Sequence, residues 1–171
     1  ATCPPEHKAL FAAQALELMP KLPPASPLIP RLIPIIGHFA ELDPNNEAGN
    51  LARALRVLLP SGYATEEQLA LGRKLDPKNE TGILELTVLA ELYQADSDRE
   101  TRHVAKAICA LDLLGPIQEE RAARLLYTNG AIWTDKVLRD TPRAKKLAAK
   151  AKPYVVRHPR LMAEVRRILA K

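Results

Sequence analysis

Apolar positions along this chain recur every three or four residues, and no stretch alternates in the way a half-buried strand requires. The first such segment runs from Pro5 to Met19, with Leu10, Phe11, Leu16 and Leu18 set among alanines. Six prolines follow between Pro20 and Pro34. The span 20–27 reads as a proline-rich linker, extended from Pro20 to Pro24, because proline fixes its own φ and cannot donate a hydrogen bond. Ser26-Pro27 reads as a cap and first helical residue, with Pro30 tolerated in the first turn, where amides have no partner within the helix. Pro34 should kink or restart the helix that runs on to Glu41. Further helices are predicted at about 46–58, 65–75, 80–93, 98–114, 116–127 and 132–138, with Asn129-Gly130 ending the one that Pro116 opens, as a left-handed cap would. Thr141-Pro142 opens a lysine-rich helix to Ala151, and His158-Pro159 opens the last, whose Leu161, Val165, Ile168 and Leu169 share a face. The expectation is nine or ten helices.

One segment is copied. Leu42-Asp43-Pro44-Asn45-Asn46-Glu47-Ala48-Gly49 returns 33 positions later as Leu75-Asp76-Pro77-Lys78-Asn79-Glu80-Thr81-Gly82. The chemistry is that of a helix stop and restart. The residue before a proline is pushed out of the α region, so the helix ends at Asp. An asparagine can then cap the next helix, with glutamate in its first turn, where the dipole favours negative charge. Leu42 and Leu75 should be buried on equivalent faces. Between the copies, Pro60-Ser61-Gly62 supplies a turn. Thr65 followed by Gln68 has the spacing of a capping box.

The segment Ala64–Asn79 resembles the second helix and exit turn of a tetratricopeptide repeat. Leu69 stands at that family's large apolar position, Gly72 at its small one and Pro77 at its terminal proline. Gly49, Ala52 and Arg53 depart from the family's aromatic, leucine and glycine in the first helix. Ala107-Ile108-Cys109-Ala110-Leu111-Asp112 resembles the exit once more, 36 positions after Asp76 and without the proline. The resemblance covers about residues 35–115. It implies an all-α fold: an array of antiparallel helix pairs, tetratricopeptide-like with irregular ends, in which each unit buries its apolar face against its neighbour.

Composition fits that expectation. Of 171 residues, 47% are hydrophobic and 4% aromatic, so a core must be built from leucine, alanine, isoleucine and valine, and a single helical domain over 1–171 is expected. The most apolar stretch, Pro27–Ala40, is broken by Pro30, Arg31 and Pro34, and no run reaches the ~18 residues that would span a bilayer. Cys3 and Cys109 have no metal-ligand spacing. An exported chain could join them and a cytosolic one would keep them reduced; the apolar neighbours of Cys109 point to a buried thiol. The opening Ala-Thr-Cys points to an exported or periplasmic product after signal removal, with a cytoplasmic chain that has lost its methionine, or a trimmed fragment, as the alternatives.

Charge is unevenly spread. Residues 139–171 hold 11 lysines and arginines against Asp140 and Glu164, a net +9. The preceding 138 residues hold 14 against 18 carboxylates, a net −4. The basic helices at 141–171 therefore either meet an anionic partner or dock on the chain's own acidic body. Lys145, Lys146, Lys150, Arg166 and Arg167 are the candidate partner-binding residues, with a protein of acidic surface as the expected partner. Nucleic acid is the alternative, although the lysine-rich helix carries no interleaved aromatic to stack bases. Catalytic signals are sparse. Glu100 and His103 have the spacing of half a carboxylate-bridged di-metal site, but no second copy exists, and a solvated helix face is the simpler reading. The chain has no phosphate loop, no Cys-x-x-Cys and no Gly-x-Ser-x-Gly, and no catalytic, cofactor or metal residue is assigned. Trp133 reads as a core residue, and His158 as the cap of the last helix. The expected function is a protein-protein interaction module, an adaptor or accessory subunit; a nucleic-acid binder and a helical metal protein or enzyme are the rivals.

Overall fold

The computed structural model describes residues 4–23, 26–61, 64–98 and 101–171. The fold is all-α. Helix accounts for 77% of the chain, and no strand occurs among the described residues. The α-helices are α1 (Pro5–Leu18), α2 (Ile29–Gly37), α3 (Phe39–Leu42), α4 (Asn50–Leu58), α5 (Glu66–Leu75), α6 (Ile83–Asp98), α7 (Thr101–Leu113), α8 (Glu120–Trp133), α9 (Thr141–Ala151) and α10 (Pro159–Leu169). Two compact units divide the chain at Leu71 and Gly72. In the first, Ala12, Leu16, Ile33, Ile36, Phe39 and Leu58 close the core. In the second, Leu89, Ile108, Leu126, Leu147, Val165 and Ile168, one or more from each of α6 to α10, close another. Within the second unit α6 packs on α7, and α9 packs on both α8 and α10.

The two copied segments fold into the same joint. α3 ends at Leu42 and α5 at Leu75, each one residue before the Asp-Pro pair. Asp43 Oδ2 accepts from Asn50 N at 2.9 Å, and Asp76 Oδ2 from Ile83 N at 2.9 Å. Asn46 Oδ1 accepts from Ala52 N at 2.8 Å, and Asn79 Oδ1 from Glu85 N at 3.1 Å. Both asparagines sit at φ 57°, while Gly49 and Gly82 sit at 73° and 78°. These left-handed positions suit Asn and Gly and penalise most other residues. The next helices start at Asn50 and Ile83, three or four residues later than the pattern suggests. Glu47 and Glu80 therefore lie in the loop and not in a first turn, and the aspartate joins the asparagine in reaching the orphan amides. Leu42 and Leu75 are both half-buried, short of the burial expected for them.

The third joint is built differently. Asp112 is exposed and does not cap its own loop. The buried Glu85 of α6 instead accepts from Gln118 N at 2.7 Å and Glu119 N at 3.0 Å, satisfying amides just before α8. Asn79 Nδ2 bonds that same carboxylate at 3.0 Å, so the second joint holds the third.

Other boundaries agree or shift for local reasons. Thr65 and Gln68 form the reciprocal capping box: Gln68 N donates to Thr65 Oγ1 at 3.3 Å, and Thr65 N donates to Gln68 Oε1 at 3.1 Å. Replacing Thr65 by Ala should cost about 1 kcal/mol in urea unfolding; no change in the midpoint would mean the cap contributes nothing. Pro20 lies in a 3-10 turn, Met19–Lys21, and not in an extended linker, while Pro24, like Gly62 of the expected turn, is outside the described residues. Pro34 does not break α2, since it removes only the bond to the carbonyl of Pro30; the restart comes at His38.

Asn129-Gly130 does not end a helix. α8 runs through it to Trp133, and the left-handed residue that closes the segment is Arg139, at φ 54°, after a π-helical turn Thr134–Leu138. Gly130 is there for closeness: a Cβ on it would lie 2.7 Å from Leu111 Cδ2 of α7.

Candidate docking face of the basic helices

α9 is started by Asp140, whose Oδ1 accepts from Arg143 N at 3.1 Å, with Pro142 in the first turn. Ala144, Leu147, Ala148 and Ala151 are its buried stripe. The opposite side is left to Lys146 and Lys150, four apart and hence on one strip, and both are exposed. Lys145 is half-buried at the stripe's other edge. On α10, Val165 and Ile168 are buried, while Arg166 and Arg167 are exposed.

Part of the basic charge is spent inside the molecule. Arg143 Nε donates to Asp112 Oδ2 on α7 at 3.0 Å. Arg167 Nη1 lies 3.0 Å from Asp135 Oδ2 and also pairs with Glu164, and Lys171 Nζ lies 2.6 Å from Asp135 Oδ1. The Asp135 side chain is only 3% exposed. Hydrogen bonds from Lys171, and then from Arg167, outweigh its burial and hold its carboxyl below the ordinary carboxylate range. Of the five candidate residues Arg167 is thus already paired, and Lys150 Nζ sits 5.4 Å from the centre of the Tyr127 ring. Lys145, Lys146 and Arg166 have no carboxylate partner among the described residues.

Because the folded pKa of Asp135 lies below its unfolded value of about 3.9, the unfolded chain takes up that proton first. The stabilisation is complete above that pH and is lost as pH falls through the folded pKa. Wild type should therefore lose more stability between pH 5 and pH 3 than Asp135→Asn does, measured as urea midpoints. Equal losses would mean the paired carboxylate adds nothing.

The remaining candidates separate. Glu100 and Cys3 lie outside the described residues, so neither the Glu-x-x-His pair nor a bond between the cysteines can be placed. His103 is half-buried on α7, and no group of His, Cys, Asp and Glu able to hold a metal occurs among the described residues. Cys109 is exposed, not buried, with Arg143 Nη2 3.9 Å from its sulfur: its apolar neighbours Ile108 and Leu111 take the inward positions of α7 and leave it the outer face. Trp133 is half-buried against the second core. His158 holds the N-cap position of α10 but makes no capping bond; its ring turns to Arg124 of α8. No helix among the described residues is long and apolar enough to cross a membrane.

Three contacts cross from α8 to the segment after it, and sequence spacing does not reveal them. Tyr127 meets Lys150, as above. The rings of Tyr127 and Tyr154 lie 6.2 Å apart, inclined at 34°. Arg124 Nη1 lies 2.7 Å from His158 Nε2. Burial raises the Tyr127 hydroxyl above its ordinary pKa. Tyr154 belongs to a 3-10 turn, Lys152–Val155, that continues α9. The aromatic rings absent from the lysine-rich helix itself are thus supplied by its neighbours. The hint available in the sequence is the four-residue spacing of Lys150, Tyr154 and His158.

No protein-family model, curated protein or solved structure matches the chain.

Proposed function

We propose that this protein is an interaction module, an adaptor or accessory subunit of a larger assembly, built as a tetratricopeptide-like helical array. Its basic end docks on an acidic protein surface through Lys145, Lys146, Lys150 and Arg166. The observation that carries this reading is the remainder left after internal pairing. Arg143, Arg167 and Lys171 find carboxylates within the chain, whereas Lys145, Lys146 and Arg166 find none among the described residues. Arg167, a candidate on sequence grounds, holds the end of α10 to Asp135 and contributes less to a partner. The buried stripe of α9 anchors this face, so its charges are presented by a packed helix. Such a face accelerates encounter with an acidic partner and is screened over ~8 Å at physiological salt.

The test is charge reversal. The partner is captured from an extract of the native source at low salt and identified, and its association with the purified chain is followed by interferometry. Lys145→Glu, Lys146→Glu and Lys150→Glu together should slow association about tenfold or more, with a change in melting temperature small beside that. The wild-type rate should itself fall as salt rises. An unchanged rate in the triple variant would mean these lysines are only a solvated surface.

A further inference from the structure

We propose that the seam where α8 meets the end of α9 and the Lys152–Val155 turn binds single-stranded nucleic acid. Arg124 and Tyr127 are three apart on α8 and so share a side, and facing them, four apart in succession, come Lys150, Tyr154 and His158. Each of these three is tied to α8 by a direct contact or through the pair of rings. The result is a strip at the surface of the second unit: an ammonium, two neighbouring rings, then a guanidinium beside an imidazole. Lys150 is exposed and the other four are half-exposed.

The chemistry of the strip is specific. A guanidinium can only donate, so His158 Nε2 is the acceptor in the 2.7 Å contact with Arg124. Neither Arg124 nor Lys150 has a carboxylate partner among the described residues. Two cations without a carboxylate of their own thus flank a pair of rings, and the buried Glu85 acts on Tyr127 from within. An acidic protein surface needs the cations alone and gives the tyrosines nothing to do. A single strand uses both: its phosphates meet Lys150 and Arg124, and its unpaired bases stack against the half-exposed tyrosines. A duplex keeps its bases stacked on one another and out of reach of the rings. The sequence pI of about 9.3 adds a favourable field for any polyanion.

The seam is distinct from the docking residues Lys145, Lys146 and Arg166, and only Lys150 belongs to both. The test uses the full chain and a fluorescein-labelled 15-nucleotide oligo-dT, read by anisotropy at 50 and 200 mM salt. Saturable binding is expected, weakening with salt by roughly 0.7 of a log unit per log unit of salt for each phosphate engaged. Tyr154→Leu and Tyr127→Leu keep apolar bulk but remove the ring, and each should weaken binding about fivefold or more. Tyr154→Phe should bind as wild type does. Arg124→Gln and Lys150→Gln should weaken binding and flatten the salt dependence, while Lys145→Gln should leave affinity within about twofold. Circular dichroism melts check that each variant is folded, and a 15-base-pair duplex should bind more weakly than the single strand. Absence of binding at 50 mM salt overturns the proposal. So does equal affinity of the folded Tyr→Leu variants and wild type, or competition by poly-glutamate as effective as by unlabelled oligo-dT; that last result would make the strip a cation-only surface for acidic proteins. The association test with a protein partner is kept separate by a Lys145→Glu, Lys146→Glu double variant, which leaves Lys150 and the rest of the seam intact.

Discussion

Asp76→Ala is expected to cost about 3–5 kcal/mol in equilibrium unfolding, and Asp43→Ala about 1–2 kcal/mol. The two aspartates occupy equivalent joints but hold different numbers of donors. Asp76 Oδ2 accepts from Thr81 N, Thr81 Oγ1, Ile83 N and Leu84 N, and Oδ1 accepts from Glu80 N at 2.7 Å. Among the described residues Asp43 accepts from Ala48 N and Asn50 N. Desolvation would raise the Asp76 pKa, yet hydrogen bonds from Thr81, Ile83, Leu84 and Glu80 together bring it below its ordinary value. The ionised form is therefore the one the joint stabilises. Removing the carboxylate orphans amides in a site where Asp76 is 3% exposed and Ile83 1%. Glu80 and Thr81 are exposed and can turn to water, which keeps the cost below the sum of five charge-assisted bonds. Asp76→Asn should cost less than Asp76→Ala, because the amide oxygen can take the Oδ2 position and keep its donors, leaving the NH2 to face only Glu80 N. Urea melts of the three variants decide the matter. Equal losses at Asp43 and Asp76 would mean the extra donors contribute nothing.

Leu69→Ala should cost about 2–5 kcal/mol through the cavity it leaves. Leu69 is 1% exposed, on a helix started by the Thr65–Gln68 box, and Ala64 just before that box is buried as well. The contrast with the exposed Ala70 on the same helix is the control: Ala70→Ser should change stability by less than about 0.5 kcal/mol. A silent Leu69→Ala variant in denaturant melts would mean α5 is held by its ends and not by packing.

The joint at Asp43 returns in the same form at Asp76, and the loop before α8 is satisfied in another way. At the first two joints an aspartate from the outgoing helix satisfies the incoming amides. At the third, Glu85 does so from across the loop, in the position that Ala52 holds 33 residues earlier. One carboxylate at that register serves two loops, because Asn79 Nδ2 and the amides of Gln118 and Glu119 converge on it. The third exit therefore needs neither the proline nor a capping aspartate, and Asp112 is left to pair with Arg143.

The sequence alone makes legible the all-α class, the apolar stripes of α9 and α10, the reciprocal cap at Thr65 and the helix stops at Asp43 and Asp76. These depend on residues within four or five positions of one another, where propensity, proline sterics and short-range capping act directly. It also determined that the last 33 residues are strongly basic, but not what those charges meet. Asp112 reaches Arg143 across 31 positions, and Asp135 reaches Lys171 across 36. Burial decided against sequence neighbours at Cys109, which faces outward on α7 beside buried Ile108. Close helix packing decided the role of Gly130, whose missing side chain admits Leu111 where local pattern suggests a cap. The seam of Arg124, Tyr127, Lys150, Tyr154 and His158 exists only once α8 lies against the end of α9. Contacts of that kind are set by which apolar stripes bury together, and no local spacing along the chain encodes which two stripes will meet.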